Sequence, residues 1–297
     1  MYEQIASNKR KSFFLILFFL CLIFLLAWIF GELTNWGPYG LIIAALIAIA
    51  MTFGGYYSSD KIVLAISRAK PVEKKDYPYL YNVVEGLAIA AGLPKPRCYI
   101  IDDTAPNAFA SGRNPKNSVI VVTKGLLEKL NRVELEGVIA HEMSHIKNYD
   151  ILVQTLAVVM VGVIALLSDW ILRSFFWGGG RRKRSGKGGG NAAAIIIVVG
   201  LVLAVLSPLI AQFIRFAVSR KREFLADANG AFLTRYPPGL ASALKKLAAD
   251  KEPLEAANKA TAHLYIVNPL KDIKGNVNKL FSTHPPIEER VAALKKM

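Results

Sequence analysis

At 297 residues the chain can hold one large domain or two ordinary ones, and 53% of its residues are apolar. With a mean hydropathy of +0.35, that content excludes a typical soluble globule. A formal net charge of +15 comes without any nucleic-acid motif, so basic flanks beside membrane spans explain it better than a nucleic-acid partner.

The apolar residues are clustered. Phe13 to Phe30, Leu33 to Ser59, Ile151 to Ser168 and Asn191 to Ile214 are free of charge, and a bilayer-crossing helix needs roughly 20 apolar residues. The first run is too long for a cleaved signal peptide, shows no small-x-small cleavage site and is followed at once by a second run. Residues 1–59 are therefore expected to form a transmembrane hairpin, with Trp28, Trp36, Tyr39, Tyr56 and Tyr57 near its ends. Lys9, Arg10 and Lys11 precede it, the connector Gly31 to Gly40 lacks Lys and Arg, and Lys61, Arg68, Lys70, Lys74 and Lys75 follow. The positive-inside rule then places the N-terminus and the segment after Tyr57 in the cytoplasm. Cys21 and Cys98 have no His partner nearby and read as small apolar residues, not a disulfide framework.

Residues 60–150 read as a globular first part of a catalytic domain. Helical spacing runs from Tyr79 to Leu93 and stops at Gly92 and Pro94. RCYIID and Ser118 to Thr123 are strands, and Asn107 to Gly112 is a second strand or a sheet edge. LLEKL and then Val133 to Asp150 are helical. Residues 151–218 are expected to form a second apolar hairpin around the basic, glycine-rich linker 177–191. If that hairpin crosses fully, Arg181, Arg182, Lys183, Arg184 and Lys187 lie outside, against the positive-inside bias. A hairpin that crosses incompletely is the alternative. The fourth run continues into REFLADANGA with Pro208 as its only breaker. Residues 219–297 complete the catalytic domain.

His141-Glu142-x-x-His145 supplies the chemistry. Residues four apart share a helix face, so both imidazoles can point at one metal, with Glu142 beside it as a general base. A catalytic zinc needs a third protein ligand and one open position. No further His follows closely, which leaves a carboxylate from a later helix: Glu223, with Asp227 one turn on to orient a ligand. A surface Glu223 paired with Lys221 or Arg222 is the competing reading. His145 lies six residues before Ile151 and Glu223 nine after Ile214, roughly 9 and 13 Å along continuous helices. Both ligand helices are then extensions of membrane helices, and the hairpin between them brings the ligands together above the bilayer.

The chain resembles the HtpX membrane proteases, gluzincin relatives of the CAAX prenyl proteases. The resemblance is carried over nearly the whole chain by the N-terminal hairpin, PNAFASG, VIVVTKGLL, ELEGVIAHEMSHIKNYD, the interrupting apolar pair, REFLADANGA and STHPPIEER. It implies one zinc per chain on His141, His145 and Glu223, Glu142 as catalytic base, a cytoplasmic site, and quality control of misfolded membrane proteins. The expected fold is mainly α and integral to the membrane: a zincin-like α+β domain with a small sheet, split by the second hairpin. His284 is the expected second stabiliser of the tetrahedral oxyanion, or an occupant of the open metal position at rest, or a plain loop residue. Asn107, Ala108, Phe109 and Ala110 form the expected edge for an extended peptide, or an ordinary loop. Asp150 and Asn148 either brace the site or are interfacial. Arg290 is open between a buried ion pair and a solvated face, and His263 reads as ordinary. A narrow-specificity or prenyl-protein peptidase and a silent membrane scaffold are the competing functions; an intact Glu142 argues against the scaffold. The oligomeric state is open.

Overall fold

The computed structural model describes residues 2–34, 52–162, 219–258, 260–270 and 284–297, with single positions between 42 and 50. Helix α1 spans Tyr2–Thr34. Asn8, Ser12, Leu15, Phe19 and Ile23 are buried, a three-and-four spacing that lines one face. That face packs on Leu152, Val153, Leu156, Ala157 and Met160 of the helical stretch 150–162. The other face exposes Phe13, Phe14, Leu17, Phe18, Phe24, Leu25 and Trp28. Among the described residues no helix is long and apolar enough to cross a membrane; the described side chains of the first apolar run end at Leu25, with Trp28 beyond. Most of the expected N-terminal hairpin between 35 and 51, the linker 177–191 and the rest of the second hairpin beyond 162 lie outside the described residues.

The centre of the molecule is a four-stranded sheet in the order β1-β2-β4-β3. Its strands are β1 (Lys70–Pro71), β2 (Arg97–Ile101), β3 (Ala108–Asn114) and β4 (Asn117–Thr123). β2 and β4 are parallel, and β1 and β3 pair antiparallel at the two ends. The β3–β4 hairpin bends at Gly112, whose φ of 137° and 2.2 Å approach of an added Cβ to Asn117 O admit only glycine. The apolar run in β4 has no polar alternation because both sheet faces are covered. On one face Cys98, Ile100, Ala108, Ala110, Ile120 and Val122 meet helices α3 (Pro78–Ala91), α5 (Arg132–Lys147) and α7 (Pro237–Ala249). On the other, Ile101, Phe109, Val119 and Val121 meet Val63 and Leu64 of α2 (Ser59–Ile66), Val158, Leu254 and Tyr265.

Local signals set the helix ends. Gly92 caps α3 with φ 67°, as its sequence position predicts. The short α4 (Lys124–Lys129) is N-capped by Thr123. Asn131 and Glu134 form a reciprocal capping box that starts α5, a device of about 1 kcal/mol. Glu134 also accepts from Ser242 and Lys246 and so ties α7 to the start of α5. Helix α6 (Arg220–Thr234) crosses α5 closely: a Cβ on Gly230 would meet His141 N at 3.0 Å. Helix α8 (Ile287–Leu294) packs behind it.

The two ligand helices are not straight continuations of apolar helices. α5 stops at Lys147, Tyr149 takes φ 61°, and helix resumes at 150. Before α6, Ser219 is extended, with φ −127° and ψ 126°. The rise of a single helix therefore does not set the height of His145 or Glu223.

His263 sits in the 3-10 turn Ala262–Leu264, only 1% exposed. Its Nε2 lies 3.3 Å from Gln154 O, and Nδ1 has no partner. Burial pushes its pKa down to about 4, against the opposing pull of the Gln154 carbonyl. Below pH 6.5 the unfolded chain takes up a proton that the folded chain refuses. This stabilisation is therefore complete above pH 6.5 and is lost as the pH falls toward 4, by roughly 3 kcal/mol at most. Thermal unfolding of wild type and His263→Phe across pH 4 to 7 will show a shallower acid loss in the variant; parallel curves would remove His263 from the account. His145 is pushed the other way (below), so only the comparison isolates His263.

Candidate metal centre

α5 presents His141 and His145 on one face, and α6 brings Glu223 across from them. All three are buried, and their ligand-type atoms fall within 4.8 Å of one another. His141 Nε2 and His145 Nε2 are 3.1 Å apart; Glu223 Oε1 is 3.5 Å from His145 Nε2, and Oε2 is 3.8 Å from His141 Nε2. Zinc–nitrogen bonds of about 2.0–2.1 Å at tetrahedral angles put two donors roughly 3.3 Å apart.

The outer groups fix which nitrogens face inward. His141 Nδ1 donates to Asp227 Oδ1 at 2.9 Å, and His145 Nδ1 to Asp150 Oδ2 at 3.0 Å. With both Nδ1 protons committed to carboxylates, two Nε2 lone pairs point at each other. That arrangement requires a proton or a cation between them. Glu223 Oε1 is buried without a hydrogen-bond partner, which a cation would also satisfy. The residues present thus fit a zinc-type ion.

Charge balance in the cluster is tight. Burial opposes protonation of His145, but Asp150, Glu223 and Glu142 outweigh it and push its pKa up to about 9. Burial holds His141 below its usual value despite Asp227. Burial works to raise the Glu223 pKa, yet His284, His145 and His141 hold it well below the carboxylate range. Glu142, 2% exposed, is pushed up to about 7 by burial, with Glu223 adding and His145 opposing; the Ala110 backbone N–H donates to it.

The sequence-derived site residues converge here. His284 Nδ1 is 2.9 Å from Glu223 Oε2, and its Nε2 is buried without a partner. Asp227 is buried, not a surface charge. Of Asn107 to Ala110, Ala108 onward in edge strand β3, Ala110 reaches Glu142, whereas Phe109 packs on the other face of the sheet against Tyr265. The outer edge of β3, however, is not free: Ala108 O accepts from Ile266 N–H, and Gly112 N–H donates to Thr155 Oγ1. The Asn107 amide is also occupied, donating to Val267 O and accepting from Ala108 N–H. It pins the segment around Ile266 to this edge strand.

Residues 74–297 match Peptidase family M48. The chain belongs to peptidase family M48. As an M48 peptidase it is a metalloprotease, a hydrolase of peptide bonds, and the family implies a bound metal. It is 51% identical to the Protease HtpX homolog of Dictyoglomus turgidum over 296 residues, covering all of this chain and 94% of that one. The Protease HtpX homologs of Thermoanaerobacter pseudethanolicus and Listeria monocytogenes are each 46% identical, with 98% and 100% of their lengths covered. This M48 peptidase is therefore HtpX-type. Among solved structures it is similar to S. mikatae Ste24p, with a TM-score of 0.48 at 19% identity, over 99% of this chain and 66% of that one.

Sequence reasoning left two parts of this M48 site undecided. Arg290 is fully buried, reaching Asp227 through Nε at 2.8 Å and through its terminal nitrogen at 2.6 Å, and donating to Ile266 O at 3.0 Å. Asp227 stays ionised because this pair and His141 outweigh its burial. Asp150 is the orienting carboxylate for His145. The Asn-x-Asp spacing at Asn148 and Asp150 was the available signal for the second; for Arg290 only its place in a turn-flanked helix hinted at a role.

Proposed function

We propose that this M48 peptidase is a zinc-dependent endopeptidase that is embedded in the cell membrane and cleaves misfolded or membrane proteins at the cytoplasmic face. The observation that carries the reading is the meeting of His141, His145 and Glu223 at one buried point with Glu142 beside it. The uncharged runs and the apolar outer face of α1 support membrane residence. In this reading the chain is multi-pass, and the bilayer and unfolded chains are its partners.

When bound, a zinc ion supplies Lewis-acid chemistry, polarising the scissile carbonyl and acidifying the attacking water. Glu142 takes the proton from that water and later hands it to the leaving amine. A pKa raised by burial suits a group that must do both, and the Ala110 N–H holds its carboxylate in place. Asp227 and Asp150 keep the two imidazoles in the tautomer with free Nε2. His284, held by Glu223, is placed to donate to the developing oxyanion. An extended substrate pairs with Ala108 to Ala110 of β3, as an added strand. That requires Ile266 to yield the Ala108 carbonyl.

The test uses detergent-purified full chain. Mass spectrometry will find one zinc per chain, and chelator will remove at least nine-tenths of casein cleavage, restored by stoichiometric zinc. Folded protein that takes up no zinc and cleaves nothing would sink the reading.

A further inference from the structure

The break between α5 and the stretch 150–162 is gripped by α1. Asn8, which is fully buried, donates from Nδ2 to Asn148 O and to Asp150 Oδ1, both at 2.7 Å. One amide group thereby satisfies a carbonyl at the end of α5 and fixes the carboxylate that begins the next helix. Lys9 lies 4.8 Å over the ring of Tyr149, the left-handed residue between them. All three junction residues, 148 to 150, are thus held by two consecutive residues of α1. Arg222 Nη1 forms an ion pair with the same oxygen, Asp150 Oδ1, at 2.9 Å. The other oxygen, Oδ2, is left for His145 Nδ1–H. A carboxylate free to rotate about its own side chain would offer that oxygen only part of the time.

We propose that Asn8 of α1 is a positioning residue for the metal centre, holding Asp150 in the orientation that receives His145 Nδ1–H. It touches neither metal nor substrate. Its effect passes through Asp150 to the basicity and aim of His145 Nε2, the kind of outer contact worth tenfold or more in metal affinity. The inference rests on His145 being a metal ligand, as proposed above. It makes zinc affinity depend on the docking of the N-terminal apolar helix, more than 130 residues away in sequence.

The experiment measures zinc dissociation constants by competition with a chromophoric chelator, on full chain in detergent. Asn8→Ala will weaken zinc binding about tenfold or more. In an Asp150→Ala background the same change will weaken it less than twofold further, because the relay is already cut. Asn8→Asp, nearly the same shape but facing Asp150 with a like charge, will weaken it more than Asn8→Ala, and carries the test if the alanine variant does not fold. Cobalt-substituted protein adds a readout that stability alone does not move: the visible absorption bands of Asn8→Ala will shift from wild type. Zinc affinity within twofold of wild type in Asn8→Ala, or equal losses in both backgrounds, would overturn the role of Asn8 and leave the metal centre standing. Wild type that binds no zinc would overturn both.

Discussion

Glu142→Gln will reduce casein hydrolysis by about a thousandfold or more while leaving one zinc per chain. The two halves of that result come from different atoms. The metal-type cluster is built from His141, His145 and Glu223, so loss of the Glu142 charge removes no ligand. The amide keeps the shape of the carboxylate and can still accept from the Ala110 N–H. What it cannot do is take a proton from water, and general acid–base groups contribute about 10² to 10⁴ in rate. Turnover of fluorescently labelled casein and metal content, measured on the same preparation, check both halves. Full activity in the variant would mean the base lies elsewhere; loss of zinc would mean Glu142 is part of the coordination.

Outside the ligands, Arg290→Met is expected to be the change most damaging to stability. It leaves Asp227 ionised, 1% exposed and stripped of its two shortest contacts. Breaking one half of a buried pair costs about 3–5 kcal/mol. His141 then faces an uncompensated carboxylate, and its Nδ1 contact loses its fixed geometry. The double variant Arg290→Met with Asp227→Leu should recover most of the thermal stability, since neither half of the buried pair is left without its partner. It should not recover zinc affinity, because His141 has lost its orienting carboxylate. Thermal unfolding with and without chelator separates the two effects. A single variant as stable as wild type would show that the pair is not structural.

The elements that local sequence sets were readable. Strands β2 and β4, the αL cap at Gly92 and the His-Glu-x-x-His face depend on neighbours within a few residues. Glu223 was readable as well, because the chemistry demands a third ligand and few carboxylates follow at a suitable place. What escaped were features decided by distant partners. The left-handed turn at Tyr149 sits where Asn8 and Lys9 of α1 reach residues 148 to 150, partners far away in sequence. Asp150 stays open between bracing the site and an interfacial position, and Arg290 between a buried ion pair and a solvated face, until the atoms around them are known. The covered edge of β3 is of the same kind, since Ile266 reaches it from far along the chain.

The positions of Asn8 and Arg290 also bear on the timing of biosynthesis. Contacts that orient the two imidazoles of α5 come from far before it in the sequence and from far after it. A chain still on the ribosome has His141 and His145 long before it has Arg290, and Asp227 without its cation is a poor anchor for either histidine. Pairings so far apart in sequence also form late and slowly. Before Arg290 is made, the two histidines are therefore expected to bind zinc only weakly.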